Sequence, residues 1–179
     1  MNIFVMRHGT TVWNELGIIQ GRSNNRLSQS GKQQVEDVAQ NFAGKVDVII
    51  CSPLMRTIQT ANIMNKYLHV KVIKDERLTE IDQGIFTARC PSTFSEKEKL
   101  LKSKRAKSAG METYEECYNR AKKFVLELKN DTRHQNVLIV THRCVAMFIE
   151  DILNGLNFKL PDFKSTNNFS NAEIKKFKI

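Results

Sequence analysis

Two histidines in the sequence stand directly behind apolar runs that predict buried strands. The stretch IFVMRHG places His8 after residues 3–6, and NVLIVTH places His142 after a second run of the same kind. Such runs are typical of strands covered on both faces, and ligand sites of α/β proteins lie at the carboxyl ends of parallel strands. We therefore expect both imidazoles at one rim of a sheet.

Two arginines are predicted at the same rim. Arg7 precedes His8, and Arg56 falls on the first turn of the helix predicted after a third apolar run. Guanidinium groups match the oxygens of a phosphate, and a neutral imidazole is a nucleophile toward phosphorus once the phosphoryl charge is neutralised. A lone histidine is more often structural, as we interpret His69 and His134, but two histidines and an arginine expected at one rim make a structural interpretation of all three less favoured.

The elements that must position these residues alternate between strand and helix, which indicates βαβ units. Ser52 followed by Pro53 predicts a helix start, with the serine as N-cap and the proline at the first helical position. The patterns further predict a helix over 31–44, a short strand over 70–73, a helix from the capping box TYEE, a helix in CVAMFIEDIL and an edge strand in NAEIKKFKI.

Length and composition set the limits of the fold. The chain has 179 residues, of which 41% are hydrophobic, so we expect one core and a single domain over residues 1–179. The four cysteines are scattered without a CxxC pair, which favours reduced thiols over disulfides or zinc. We find no signal peptide or bilayer-crossing stretch, and expect a cytoplasmic protein with no membrane partner.

The formal charge of +9 favours anionic partners. Much of this charge lies in the segment SEKEKLLKSKRAKSAG, residues 95–110, and two interpretations of it stay open. The segment is either a solvated helix face or an electrostatic lid over a polyanionic substrate. Its cationic residues are Lys97, Lys99, Lys102, Lys104, Arg105 and Lys107.

The segment VMRHGTTVWN resembles the signature of the histidine phosphatase superfamily, the phosphoglycerate mutase-like proteins. Its RHG triplet is weak as a motif, but further segments match in family order across nearly the whole chain. The resemblance implies a three-layer α/β/α fold with a mostly parallel central sheet, a phosphohistidine nucleophile and no cofactor. The further matching segments are QGRSNNRLSQSG, CSPLMRTIQTA, RLTEIDQG, METYEEC and VTHRC.

The resemblance also implies roles for individual residues. His8 is the implied nucleophile, and Arg7 and Arg56 bind the phosphoryl oxygens. His142 donates a hydrogen bond that strengthens in the transition state, and Asn14 adds an amide donor. The segment RLTEIDQG contains Glu80 as the implied general acid and base, which protonates the leaving alkoxide and then deprotonates the attacking water, with no metal ion.

Three departures from the family pattern lie at the expected pocket rim. Arg143 and Cys144 stand where many members have glycine, residues 86–88 replace the common W-E-G, and Asn24 replaces an acidic residue. We interpret Arg143 as a possible further anion contact and Cys144 as a packed, inert thiol rather than a reactive one. These changes predict altered substrate preference rather than lost chemistry.

Hydrolases and mutases share this machinery. Because only a modest lysine-rich cap segment, about residues 89–112, fits between the acid and the second histidine, we expect a phosphatase acting on a small phosphorylated metabolite and releasing inorganic phosphate. A phosphoglycerate-like acid or a sugar bisphosphate fits the lysines. The alternatives are a mutase and a non-catalytic phosphate-sensing or nucleic-acid-binding module. The module is disfavoured, because interleaved aromatic residues are lacking and a sensor has little use for Glu80.

Overall fold

The computed structural model describes residues 1–162 and 168–179. In this part of the chain, five strands form one sheet, and the main helices pack on its two faces. The strands are β1 (Asn2–Arg7), β2 (Val48–Cys51), β3 (Lys71–Lys74), β4 (Asn136–Thr141) and β5 (Ile174–Lys178). The α-helices are α1 (Val12–Glu15), α2 (Gln29–Asn41), α3 (Met55–Leu68), α4 (Glu96–Ser103), α5 (Tyr114–Lys129) and α6 (Arg143–Leu153). Short 3-10 turns lie at Glu76–Leu78, Gly84–Phe86, Pro91–Thr93 and Lys107–Ala109.

The sheet has the strand order β3-β2-β4-β1-β5. Strands β1 to β4 are parallel to their neighbours, and β5 pairs antiparallel with β1 at the edge. The predicted mostly parallel sheet and the predicted edge strand in the tail are therefore confirmed. Because β4 lies between β1 and β2, the carboxyl ends of these three strands are adjacent.

Both faces of the central strands are covered, which explains their unbroken apolar runs. Alternate residues of β1 divide between two cores: Ile3 and Val5 pack with α5 and α6, whereas Phe4 and Met6 pack with α2 and α3. The molecule thus has the three layers that the family resemblance implies. A smaller cluster under the lysine-rich segment contains Phe86, Phe94, Ala109 and Met111.

The prediction that Ser52 caps the helix after β2 is wrong. Helix α3 begins at Met55 with Leu54 as its N-cap residue, and the first turn takes its side-chain cap from another loop, where Asn24 Oδ1 accepts from the Met55 amide at 2.7 Å. The Ser52 hydroxyl instead lies 2.8 Å from Nε2 of His142. A tertiary contact has therefore taken the side chain that the local pattern assigns to the helix.

The other predicted elements differ only at their ends. The helix predicted over 31–44 begins two residues earlier, because Ser28 accepts a hydrogen bond from the Gly31 amide as its N-cap. The capping box at Thr113 is present in α5, and β3 is shifted by one residue. All four cysteines are free thiols. Among the described residues, the helices are too short or too polar to cross a bilayer.

Candidate active site

His8 and His142 meet at the carboxyl ends of β1 and β4. Their ring centroids lie 5.2 Å apart, and both side chains are buried. The backbone joins them as well, because the His8 amide donates to the carbonyl of Thr141 at 3.0 Å. The predicted convergence of the two imidazoles is therefore present in the structure.

The hydrogen bond of His8 defines its tautomer. Nδ1 lies 2.7 Å from the carbonyl oxygen of Gly9, which can only accept, so Nδ1 has the proton and Nε2 has the lone pair. Burial, followed by the charges of Arg56 and Arg7, holds the pKa of His8 well below its usual value. The ring is therefore neutral at neutral pH and presents a nucleophilic Nε2.

Gly9 is required by the packing next to this histidine. A Cβ atom at Gly9 would lie 2.6 Å from Cγ2 of Val35 and 2.7 Å from the carbonyl oxygen of Gly31. Only glycine lets the chain after β1 pass this close to α2. The same close passage fixes the carbonyl group that orients the His8 ring.

Arg56 is held from three sides in the first turn of α3. Its Nη1 and Nη2 donate to the carbonyl oxygens of Ser23 and Gly21 at 2.7 and 2.8 Å, and its Nε donates to Nδ1 of His142 at 3.1 Å. Burial lowers the pKa of Arg56 to about 10, which leaves it charged at neutral pH. The QGR loop thus fixes a buried cation beside both histidines.

His142 is fixed in the opposite tautomer to His8. Because a guanidinium cannot accept, Nδ1 of His142 is the acceptor for Arg56, and Nε2 donates to the Ser52 hydroxyl at 2.8 Å. Burial and the charge of Arg56 lower the pKa of His142 well below its usual value. Sequence analysis did not assign Ser52 to the site. Its position could have indicated this, because Ser52 directly follows β2 just as the two histidines follow β1 and β4.

Arg7 contributes a second cation with a free donor. Its Nη1 donates to the carbonyl oxygen of Phe169 at 2.7 Å, whereas its buried Nε has no hydrogen-bond partner within residues 1–162 and 168–179. Burial lowers the pKa of Arg7 to about 10, so it stays charged at neutral pH. A buried donor without a partner is costly, by about 1–3 kcal/mol, and a bound anion would satisfy it.

Asn14 is linked to the His8 segment through Asn171. Its Oδ1 accepts from the amide and the hydroxyl of Thr11 at 3.1 and 3.0 Å, which caps α1. Nδ2 of Asn171 lies 3.4 Å from the same oxygen and donates to the His8 carbonyl at 3.0 Å. Since the amide oxygen is engaged in these contacts, the Nδ2 group of Asn14 is the end that could bind a ligand.

Glu80 lines a cavity of about 330 Å³. Its Oε1 accepts from the amide of Ile81 at 2.9 Å, and its charge raises the pKa values of both Arg7 and Arg56 against the effect of burial. The cavity is lined by Glu80, Ile81, Gln83, Lys102, Tyr114, Arg143 and Cys144.

A half-buried ion pair between Glu112 and Arg120 holds the segment that contains Glu80. Glu112 accepts from Nε of Arg120 at 2.7 Å and from the Asp82 amide at 3.1 Å, and Nη1 of Arg120 donates to the carbonyl oxygen of Arg77 at 2.6 Å. Burial raises the pKa of Glu112, but Arg120 and the Asp82 amide lower it by more than burial raises it. The net pKa lies below its usual value, so the carboxylate stays charged. Sequence analysis did not assign this pair, since neither residue has a local partner that would reveal it.

The two residues after His142 differ in character. Nε of Arg143 donates to Oδ1 of Asn168 at 2.7 Å, and Arg143 lines the Glu80 cavity. A hydrogen bond with Cys117, together with burial, raises the pKa of the Cys144 thiol well above its usual value. A buried thiol with a raised pKa is consistent with the interpretation of Cys144 as a packed, inert thiol. In the described part of the chain, no group of His, Cys, Asp and Glu side chains could hold a metal ion.

Comparison with known sequences identifies the family. The sequence model described as the histidine phosphatase superfamily (branch 1) matches residues 3–179. The chain belongs to this superfamily, and the resemblance noted from its motifs is confirmed. The family and the relatives described next indicate phosphatase or mutase chemistry.

Three relatives illustrate the range of the family. The chain is 31% identical over 149 residues to "Phosphoserine phosphatase 1" of Hydrogenobacter thermophilus, covering 79% of this chain and 71% of that protein. It is 40% identical over 90 residues to "Probable phosphoglycerate mutase GpmB" of Yersinia enterocolitica, covering 50% of this chain and 42% of that protein. The structure of a phosphoserine phosphatase from Entamoeba histolytica, in complex with 3-phosphoglyceric acid, has a TM-score of 0.76 and 25% identity, covering 99% of this chain and 90% of that chain.

Proposed function

We propose that this protein is a phosphomonoesterase that forms a phosphohistidine on Nε2 of His8. The observation that carries the proposal is the hydrogen bond from Nδ1 of His8 to the Gly9 carbonyl, which leaves Nε2 unprotonated. The neutral ring lies beside two buried cations, Arg7 and Arg56, which can neutralise the phosphoryl oxygens. A nucleophile without charge, held next to fixed positive charges, suits attack on a phosphate ester.

Three further side chains, those of Glu80, His142 and Asn14, complete the proposed reaction. Glu80 protonates the leaving alkoxide as Nε2 of His8 bonds to phosphorus, and the resulting carboxylate then takes a proton from the water that cleaves the P–N bond. In the substrate complex, the proton of His142 moves from Nε2 to Nδ1, which then donates to a phosphoryl oxygen instead of accepting from Nε of Arg56, while the Ser52 hydroxyl turns to donate to Nε2. The amide of Asn14 adds a donor. The net reaction consumes water and releases an alcohol and inorganic phosphate, without a metal ion.

The proposed substrate is a small phosphorylated metabolite. The cavity beside Glu80 has room for a few carbon atoms beyond the phosphoryl group, and two cationic side chains line it. The relatives are named for phosphoserine and phosphoglycerate, and the solved relative contains 3-phosphoglyceric acid. We propose that the protein acts without a membrane or nucleic-acid partner.

We also propose that residues 1–179 form one domain in which residues 89–112 are a cap beside Glu80. The cap packs on its own small core, which includes Phe94 and Met111, and Nε of Arg105 in the cap donates to the carbonyl of Glu112 at 2.6 Å. Limited proteolysis tests this organisation, since cleavage inside the cap should precede cleavage of the sheet. For the location, we propose the cytoplasm, and fluorescence microscopy of the tagged chain tests it.

A panel of phosphorylated metabolites tests the proposed activity. The wild-type protein and His8→Ala should be incubated with the same esters, and the released phosphate measured. We expect hydrolysis of at least one small ester by the wild type and none by His8→Ala. Equal release by the two proteins, or no release from any ester by the wild type, would refute the proposal.

A mutase is the second candidate, and the match to the protein named "Probable phosphoglycerate mutase GpmB" favours it. In a mutase, a second hydroxyl of the substrate takes the phosphoryl group from His8 instead of water. Incubation with 3-phosphoglycerate and a bisphosphoglycerate primer, followed by NMR, distinguishes the two. Interconversion of phosphoglycerates faster than phosphate release would favour the mutase.

A further inference from the structure

We infer that Lys102 and Arg143 form a subsite that binds a second anionic group, a carboxylate or a phosphate, on the substrate. The inference rests on the proposed function, because that function places the phosphoryl group of the same molecule at His8. It assigns a specificity role to two residues outside the phosphoryl site, one in α4 and one at the start of α6.

Lys102 differs from the other lysines of the cap. Lys97, Lys99, Lys104 and Lys107 are exposed, and Lys99 and Lys107 pair with Glu96 and Glu116. Lys102 is half-buried in the last turn of α4 and lines the cavity beside Glu80. Of the two interpretations of the lysine-rich segment, a solvated face thus describes most of it, while one lysine faces the cavity.

The charge of Lys102 is not neutralised by the protein. Within the described residues its ammonium group has no hydrogen bond or ion pair, and burial and the neighbouring charge of Arg105 lower its pKa. A partly buried ammonium group without an anionic partner is unfavourable. An anionic group of a ligand in this cavity would supply the missing partner.

Arg105 adds to the positive potential behind Lys102. It is buried, and its guanidinium donates to the main-chain carbonyls of Glu112 and Asp82 and stands 4.7 Å above the ring of Tyr114. These partners are neutral groups, so they hold the side chain without cancelling its charge. The wall of the cavity that contains Lys102 is therefore positive.

Arg143 lines the same cavity, and in the chain it directly follows His142 of the proposed phosphoryl site. Glu80 also lines the cavity, where it is the proton donor of the proposed reaction. A small molecule with a phosphoryl group at His8 can thus place a second anion toward Lys102, within a cavity of about 330 Å³.

A matched pair of ligands tests the subsite. 3-Phosphoglycerate and glycerol 3-phosphate differ in having a carboxylate or a hydroxymethyl group at one end. Binding should be measured by calorimetry in the His8→Ala background, which does not turn the ligands over, with thermal unfolding as a check on folding. We expect 3-phosphoglycerate to bind about tenfold more tightly, and Lys102→Met to remove most of this preference.

Lys97→Met is the control, since Lys97 is an exposed lysine of the same helix. It should leave the ratio of the two dissociation constants within about twofold of its original value. The inference is overturned if neither this pair nor the bisphosphate pair described next shows a preference that Lys102→Met removes, or if Lys97→Met lowers the preference as much as Lys102→Met.

A second pair distinguishes the kind of anion. Fructose 1,6-bisphosphate against fructose 6-phosphate tests a phosphate in the subsite, and a preference in either pair that depends on Lys102 supports the inference. A lack of Lys102-dependent preference in both pairs contradicts it. Failure of the proposed function is measured separately, by the ester panel. If the wild type hydrolyses no ester, the proposed function fails, whatever the binding measurements show.

Discussion

The Nε group of Arg56 donates a hydrogen bond of 3.1 Å to Nδ1 of His142. The bond joins the first turn of α3 to the residue after β4, and it fixes the guanidinium plane beside the proposed phosphoryl site. Because lysine has neither the planar fork nor the reach to three acceptors, Arg56→Lys should lower kcat/KM by about a hundredfold or more. Steady-state hydrolysis of p-nitrophenyl phosphate measures this. Arg133→Lys, at an exposed arginine, is the control, and a loss below threefold at Arg56 would contradict the proposed role.

Ser52 should act as a positioning residue for His142. In Ser52→Ala, Nε2 of His142 loses the hydroxyl partner that now lies at 2.8 Å, so Arg56 alone holds the ring through Nδ1. We expect kcat to fall about tenfold with a smaller change in KM. The 15N chemical shift of Nε2 should change, because its hydrogen bond to the Ser52 hydroxyl is lost. Unchanged shifts together with an unchanged kcat would show that Ser52 has no such role.

Glu80→Gln should slow the reaction by an amount that depends on the leaving group of the substrate. An amide cannot donate the proton that an alkoxide needs, so hydrolysis of an alkyl phosphate should fall by about 10²–10⁴. The formation of phosphohistidine from p-nitrophenyl phosphate, whose leaving group needs little protonation, should fall much less. Rapid-quench measurement of both steps checks this. Equal losses for the two substrates would mean that Glu80 is not the proton donor.

Stability should fall on mild acidification. His8 and His142 are buried with pKa values lowered by burial and by neighbouring arginines, whereas in the unfolded chain they bind protons near pH 6.5. Above pH 6.5 these histidines are neutral in both the folded and the unfolded state, so the full free energy of unfolding is retained. Below pH 6.5 the unfolded state binds more protons than the folded state, and the protein becomes less stable. The loss is up to about 1.4 kcal/mol per pH unit for each histidine.

Urea unfolding at pH 7.5 and 5.5, in buffer free of phosphate, measures this slope. The variant His8→Asn should have a smaller slope, because one of the two buried histidines is gone. The expectation fails if the free energy of unfolding is the same at both pH values or rises on acidification.

Much of the fold was predictable because its signals are local. The apolar runs of β1 and β4 are continuous since both faces are buried, and a residue that follows such a strand must emerge at the rim. This places His8 and His142 correctly without knowledge of their contacts. The capping box of Thr113 was predictable for the same reason, because its donor and acceptor lie three residues apart.

The parts that sequence reasoning missed depend on distant contacts. Ser52 matches a helix N-cap locally, but a histidine 90 residues away takes its hydroxyl, and Asn24 caps the helix instead. Lys102 cannot be distinguished from Lys97 by pattern, since both belong to one charged run, and only the packing of α4 turns one of them toward the cavity. Such orientations are properties of the assembled fold.

The most direct test of the account is the trapping of phosphate on His8. The wild-type protein should be mixed with a 32P-labelled ester and quenched in alkali, and the labelled residue identified after digestion. We predict up to one phosphoryl group per chain, stable in alkali and lost in acid, on His8 and absent from His8→Ala. Hydrolysis of the same ester without any label on His8, or with equal label in the variant, would contradict the account.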